Sequence, residues 1–193
     1  MRFRFLHSLA ATVPAVEEAL VDPQALALLP RLARPAPLVV CGQLVRQRTP
    51  PGEIERVARF EVAGLHATCG PDIGPDGVSF TAWTLWRKTE QVGVFDIQFS
   101  ASGWPLTGMT CQGQIRHLPE GENTSRLVEG ELRAPVPLEG TPCGHAVGKL
   151  LGIHFGAEAA ALENIAARHL AVHPRRPPTR MAPGGSSGIG VAV

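Results

Sequence analysis

Residues 2–9, RFRFLHSL, alternate polar and apolar side chains, and a period of two predicts a half-buried strand with Phe3, Phe5 and His7 on one face. Two short helices are expected next. Pro14 suits a first helical turn before VEEALVD, and Asp22 followed by Pro23 caps and opens PQALALLPRLA. From residue 35 the period returns to two. PLVVCGQLVRQR and EIERVARFEVAG flank the turn TPPG; VSFTAWTLWRKT precedes VGVFDIQFSA, which sets Phe95, Ile97 and Phe99 against Asp96 and Gln98; MTCQGQIRHLP and TSRLVEGELRAPVP flank EGEN. The pattern predicts six strands in three consecutive hairpins, followed by one long helix from about 141 to 171.

Wound at about 100° per residue, that helix gathers Val147, Leu151, Phe155, Leu162 and Ile165 on one stripe. Glu158 falls near the middle of the same stripe, with His154 one turn before it and His169 three turns beyond. A buried carboxylate is costly unless paired, so Glu158 calls for His154 at i−4 or for an inward arginine from the sheet. Two readings stay open. In one, Glu158 and His154 are the polar anchor of an apolar pocket, or a general acid and base with a raised carboxyl pKa. In the other, Glu158 tips to the rim of the stripe and tethers the helix to a strand arginine.

The order strand, two short helices, six antiparallel strands and long C-terminal helix resembles the helix-grip fold of the START-like (SRPBCC) superfamily. MRFRFLHSLAATVPAVEEALVDPQAL is similar to that superfamily's first strand and the helix leading into Asp-Pro. EGELRAPVPLEG resembles the Pro-containing corner that enters the gripping helix in bacterial members, with uncharacterised ones nearest. The resemblance covers roughly residues 2–171. It implies an α+β domain of order β-α-α-β6-α, with a bent antiparallel sheet wrapped around the long C-terminal helix. Because it rests on element order, it speaks to fold more than to chemistry. Residues 1–173 are assigned to this domain, and 174–193, Pro- and Gly-rich and without period, to a disordered tail.

A bent sheet has a concave face that a single helix of about 45 Å does not fill, so a cavity is expected between them. Its expected lining is Phe5, Phe60, Phe95, Ile97, Phe99, Val128 and Leu132 from the strands, with Leu151, Phe155 and Leu162 from the helix. Trp83 and Trp86 fall on opposite faces of one strand and Trp104 in a loop; Trp83 is assigned to the lining.

Composition narrows the partners. The 193 residues are 44% hydrophobic, enough for one ordinary core. A net charge of +1, with most arginines alternating with Glu, offers no basic stripe for nucleic acid. Apolar runs stop short of the roughly 20 residues of a membrane span. Arg2, Arg4 and His7 interrupt the start of the chain, which therefore reads as a strand rather than a signal peptide; the expected location is cytoplasmic, with reduced cysteines.

Specific chemistry is sparsely written. The chain has no Tyr and no G-x-S-x-G, and GPDIGPDG at 70–77 is a turn rather than a phosphate cradle, so no cofactor is expected. His66 and Cys69 follow the second hairpin strand, and Cys143 and His145 precede the long helix; they could meet at one end of a helix-grip barrel, but each half-motif is short and common, and no metal is assigned. Cys41 and Cys111 read as small buried hydrophobes. The favoured function is a soluble carrier or sensor for a small hydrophobic ligand such as a lipid or polyketide-like compound. A cyclase- or dehydratase-type enzyme using Glu158 and His154, or a module that binds a protein client through its sheet, are the alternatives. Whether the protein is an enzyme, and its oligomeric state, stay open.

Overall fold

Alternation along RFRFLHSL produces strand β1 (Arg2–Leu9), with Arg2, Arg4 and Leu6 outward and Phe3, Phe5 and His7 inward. It is followed by α1 (Val13–Val21), α2 (Gln24–Leu32), β2 (Val39–Arg48), β3 (Glu53–Val62), β4 (Val78–Arg87), β5 (Val92–Ala101), β6 (Thr110–Glu120), β7 (Asn123–Arg133) and α3 (Pro142–Val172). A computed structural model describes residues 1–33, 39–62, 78–101 and 108–172. His66, Cys69, Trp104 and the expected tail lie outside the described residues.

The seven strands form one antiparallel sheet in the order β1-β7-β6-β5-β4-β3-β2. This is the expected element order, and the three expected hairpins are all present. The helix α3 lies on the concave face. Thr141 starts it: its Oγ1 accepts a hydrogen bond from the Gly144 N–H at 3.0 Å, and Pro142 occupies the first turn where no intrahelical donor is needed. With 31 residues the helix is about 46 Å long. Along its length it serves two clusters. Val147, Leu151 and Phe155 pack into the sheet, whereas Leu162, Ile165 and Ala166 pack with Leu9, Val16 and Ala19 under α1. Leu162, expected in the cavity lining, therefore belongs to the helix-side core, because α1 and α2 cover the last turns of α3.

The sheet bends where side chains are missing. One register row runs Arg56, Thr84, Phe95, Gly113, Gly130, Phe3 across β3, β4, β5, β6, β7 and β1. A Cβ at Gly113 would sit 2.1 Å from the Glu129 carbonyl oxygen and 2.6 Å from Phe95 Cζ. The glycine thus permits a close backbone approach and lets the Phe95 ring lie over the strand. Gly113→Ala is expected to destabilise the protein by about 2–3 kcal/mol, because backbone rather than a flexible side chain must give way. Gly156→Ala on α3, where the nearest atom is His7 Nε2 at 3.8 Å, is the matched control; it should be neutral or stabilising. Urea midpoints of the two variants check this, and equal midpoints would refute the close-approach explanation.

Candidate functional site

Arg56 and Arg126 sit on the apolar faces of β3 and β7. Arg56 shares its face with Ile54, Ala58 and Phe60, and Arg126 lies one register step from Thr124 and Val128. In a flat sheet β3 and β7, four strands apart, would be about 19 Å from one another. Both guanidinium groups nevertheless reach Glu158: Arg56 Nη2 donates to Oε1 and Arg126 Nη2 donates to Oε2. The curl of the sheet and the reach of two long side chains close the distance. Relative exposures of 8% for Arg56, 1% for Arg126 and 6% for Glu158 place all three inside. Arg126 also donates from Nη1 to the Phe155 carbonyl at 3.2 Å, which ties the strand to the helix backbone.

Histidines surround this triad. His7, Arg126 and His117 are directly opposite one another across β1, β7 and β6. His117 packs its ring on Trp86 with centroids 4.1 Å apart, and Trp86 Nε1 donates to Glu17 of α1 at 3.0 Å. His154, one turn before Glu158, meets Phe60 and Phe80 edge-on at 4.7 and 5.1 Å. It is aromatic packing, not a hydrogen bond to Glu158, that holds this ring. His154 Nδ1, both ring nitrogens of His117, His7 Nδ1 and Arg126 Nε are buried without a partner among the described residues.

The electrostatics follow from these positions. Burial pushes the Glu158 carboxyl up, but the charges of Arg126 and Arg56 outweigh it and hold the pKa at about 2. The raised carboxyl pKa of the general-acid reading is thus corrected: two guanidinium groups keep Glu158 an anion at any ordinary pH. Burial, aided by Arg56 and Arg126, lowers His154 to about 4, against the opposing pull of Glu158. Burial and Arg126 lower His117 to about 3. His7 is lowered by the same two causes in the same order. These histidines are therefore neutral near pH 7, and the described interior residues carry two positive charges and one negative.

Among the described residues, the large apolar cavity expected between sheet and helix is not open. A void of about 10 Å³ remains, bordered by Arg56, Ala58, Thr84, Phe95, His154 and Glu158 among others, which is space for about one water molecule. Aromatic rings fill the rest: Phe60 stacks on Phe80 at 4.8 Å, Phe80 meets Phe99 at 5.6 Å, and Phe95 meets Phe155 at 5.2 Å. Of the expected lining, Phe60, Phe95, Ile97 and Phe155 border the void beside His154 and Glu158. Phe99 and Leu151 are buried in the core around it, and Phe5 is half-buried next to Phe3. Trp83 is corrected outright. It points to the convex face, where its Nε1 donates to Glu55 at 3.0 Å, because Ala82, Thr84 and Trp86 take the inward phase of β4.

His169 does not join the cluster; its Nε2 lies 3.2 Å from Asp22 Oδ2 at the junction of α1 and α2. Cys143 is buried and His145 is exposed, while the meeting of this pair with His66 and Cys69 lies outside the described residues. Cys111 is buried as expected, its thiol pushed up to about 12 chiefly by desolvation. Sequence reasoning asked for an inward strand arginine without numbering one. Its signal was a charge on the apolar phase of an alternating strand: Arg56 in EIERVARFEV and Arg126 in TSRLVEGELR.

No family model matches the chain, and no curated protein matches it in sequence. Solved structures do match in shape. A protein of Thermus thermophilus aligns with a TM-score of 0.59 at 15% identity, over 88% of this chain and 99% of that one. The Zhui aromatase/cyclase of a Streptomyces species aligns with a TM-score of 0.55 at 16% identity, over 88% and 95%. An uncharacterised protein of Rhizobium leguminosarum aligns with a TM-score of 0.52 at 12% identity, over 87% and 95%. The chain has the START-like helix-grip fold. Within that START-like frame the gripping helix is α3, and the charged triad lies where α3 crosses the concave sheet. No described helix is long and apolar enough to cross a membrane.

Proposed function

We propose that this START-like domain binds a small, mainly apolar molecule between its sheet and α3, as a carrier or sensor acting in the cytoplasm. The observation that carries this reading is the Arg56–Glu158–Arg126 triad, whose Arg56 and Glu158 border a void lined mainly by apolar side chains, where stability alone favours well-packed hydrophobic residues. Ala58 and Ala82 are the small side chains on the sheet side of the void, and the rings of Phe60, Phe95 and Phe155 are what a ligand would displace. Admitting a ligand larger than the void requires those rings to change rotamer.

The cyclase-type alternative draws less support from the same residues. Glu158, fixed as an anion by two arginines, is neither a proton donor nor a strong base near neutral pH, and a histidine with a pKa of about 4 is a weak base. Titration with a neutral apolar fluorophore, N-phenyl-1-naphthylamine, tests the binding reading. Saturable uptake that alters the emission of the buried Trp86 is expected, with lower capacity in Ala82→Val, whose added methyl groups grow into the void. Uptake that never saturates, or that is equal in a folded Ala82→Val protein, overturns it.

A further inference from the structure

Among the described residues, the charges inside the helix-grip interior do not balance. Two guanidinium groups face one carboxylate, and all three are more than nine-tenths buried. Among the described residues, the remaining titratable groups around them are His7 and His117 across the sheet and His154 on α3, neutral in this setting and unable to cancel a positive charge. Glu17 of α1 is half-exposed and engaged by the Trp86 indole, and the charges that act on Arg126 are those of Glu158 and Arg56. A water in the void could accept a hydrogen bond from a guanidinium but could not neutralise it. An uncompensated buried cation is unfavourable, and an incoming anion relieves it.

The geometry also says where the anion would go. Glu158 spends one oxygen on each arginine, and of the two arginines it is Arg56 that borders the void, alongside His154. Around that point the polar border is Arg56, Thr84, His154 and Glu158, with Arg56 its cation, and the remaining walls, Ala58, Phe60, Phe95 and Ile97 among them, are apolar. We infer that the ligand of this interior is a monoanion with an apolar body, a carboxylate seated on Arg56 at the void with its hydrocarbon part among the aromatic rings. This rests on the binding reading above and adds the chemical class to it. Carboxylate against guanidinium is the pairing that planar, forked donors favour, and burial makes it selective against neutral and cationic analogues.

The test uses the full chain and two matched series: decanoate, decanol and decylammonium below their aggregation limits, and 2-naphthylacetate with 2-naphthylethanol, each followed by calorimetric titration. Acetate is included to separate a free small anion from an anion on an apolar body. The expected ranking is carboxylate tighter than alcohol by about tenfold or more in at least one series, with no saturable binding of decylammonium or acetate. Arg56→Met leaves the one-to-one Arg126–Glu158 pair and should erase the preference while keeping the affinity for the alcohol. An alcohol that equals its carboxylate in the wild-type protein, a preference that survives in folded Arg56→Met, or acetate binding as tightly as decanoate overturns the inference and leaves the binding reading standing. Saturable binding by none of the compounds overturns both. The wild-type ranking decides the matter even if Arg56→Met does not fold.

Discussion

Glu158→Gln lowers the unfolding free energy by about 3–5 kcal/mol, the cost of leaving two buried guanidinium groups without their shared anion. For a chain of this length that is a fall in Tm on the order of 10 °C. The direction is not obvious from burial alone, since neutralising a lone buried carboxylate would relieve desolvation and stabilise. The two arginines reverse the sign. Arg56→Met, by contrast, leaves a matched pair and is expected to change stability by no more than about 1 kcal/mol, because Met keeps the apolar stem. Chemical denaturation of the two variants separates the cases. A Glu158→Gln protein as stable as the wild type would mean that water reaches the arginines and that the triad does not act as a buried unit.

Acid should weaken the fold well before the carboxylates titrate. His154 and His117 have folded pKa values of about 4 and about 3, below the ordinary 6.5 that they regain on unfolding. Between those limits the unfolded chain binds more protons than the folded one, so stability rises with pH; the contribution is complete above about 6.5 and lost as pH falls toward 4 and 3. Two such groups give a slope of about 3 kcal/mol per pH unit at most, and a loss on the order of 3–5 kcal/mol between pH 7 and 4.5. Glu158, depressed from 4.5 to about 2, adds its share only below pH 4.5. Denaturant melts at half-unit pH steps measure the slope, and His117→Phe, which keeps a ring against Trp86, should about halve it. A flat profile from pH 6.5 to 4.5 would show that the histidines are hydrated in the folded state.

The strands are legible because one face of the sheet is buried and the other is not. RFRFLHSL and VGVFDIQFSA carry that asymmetry residue by residue, and the long helix carries it as a stripe from Val147 to Ile165. Phase within a strand is harder to read where both faces carry aromatic rings. In VSFTAWTLWR, Trp83 and Trp86 compete for the inward position, and the choice is settled by the register with Val57 and Ile54 on β3. Cavity size is harder still, because it depends on how Phe60, Phe80, Phe95 and Phe155 interlock, a sum of ring orientations that no local pattern encodes. Glu158 is legible as an anomaly on its own helix. Its partners lie 102 and 32 residues away in sequence, and only the curl of the sheet reveals that one carboxylate serves both.

The pairing of β1 with β7 also fixes when the molecule can be finished. Phe5 lies opposite Val128, and the strand that leaves the ribosome before all the others finds its partner only after five more have been made. At ordinary elongation rates that is a wait on the order of ten seconds, with Phe3 and Phe5 uncovered throughout. α3, whose Glu158 ties Arg56 to Arg126, arrives later again. The order of manufacture thus runs against the order of closure: the hairpins can form as they emerge, while the seam between the two ends of the domain waits for the last helix. Such long-range closure slows folding and exposes an unpaired edge to other chains. A nascent chain of this protein halted before α3 is accordingly expected to be a client for chaperones that shelter short aromatic strands.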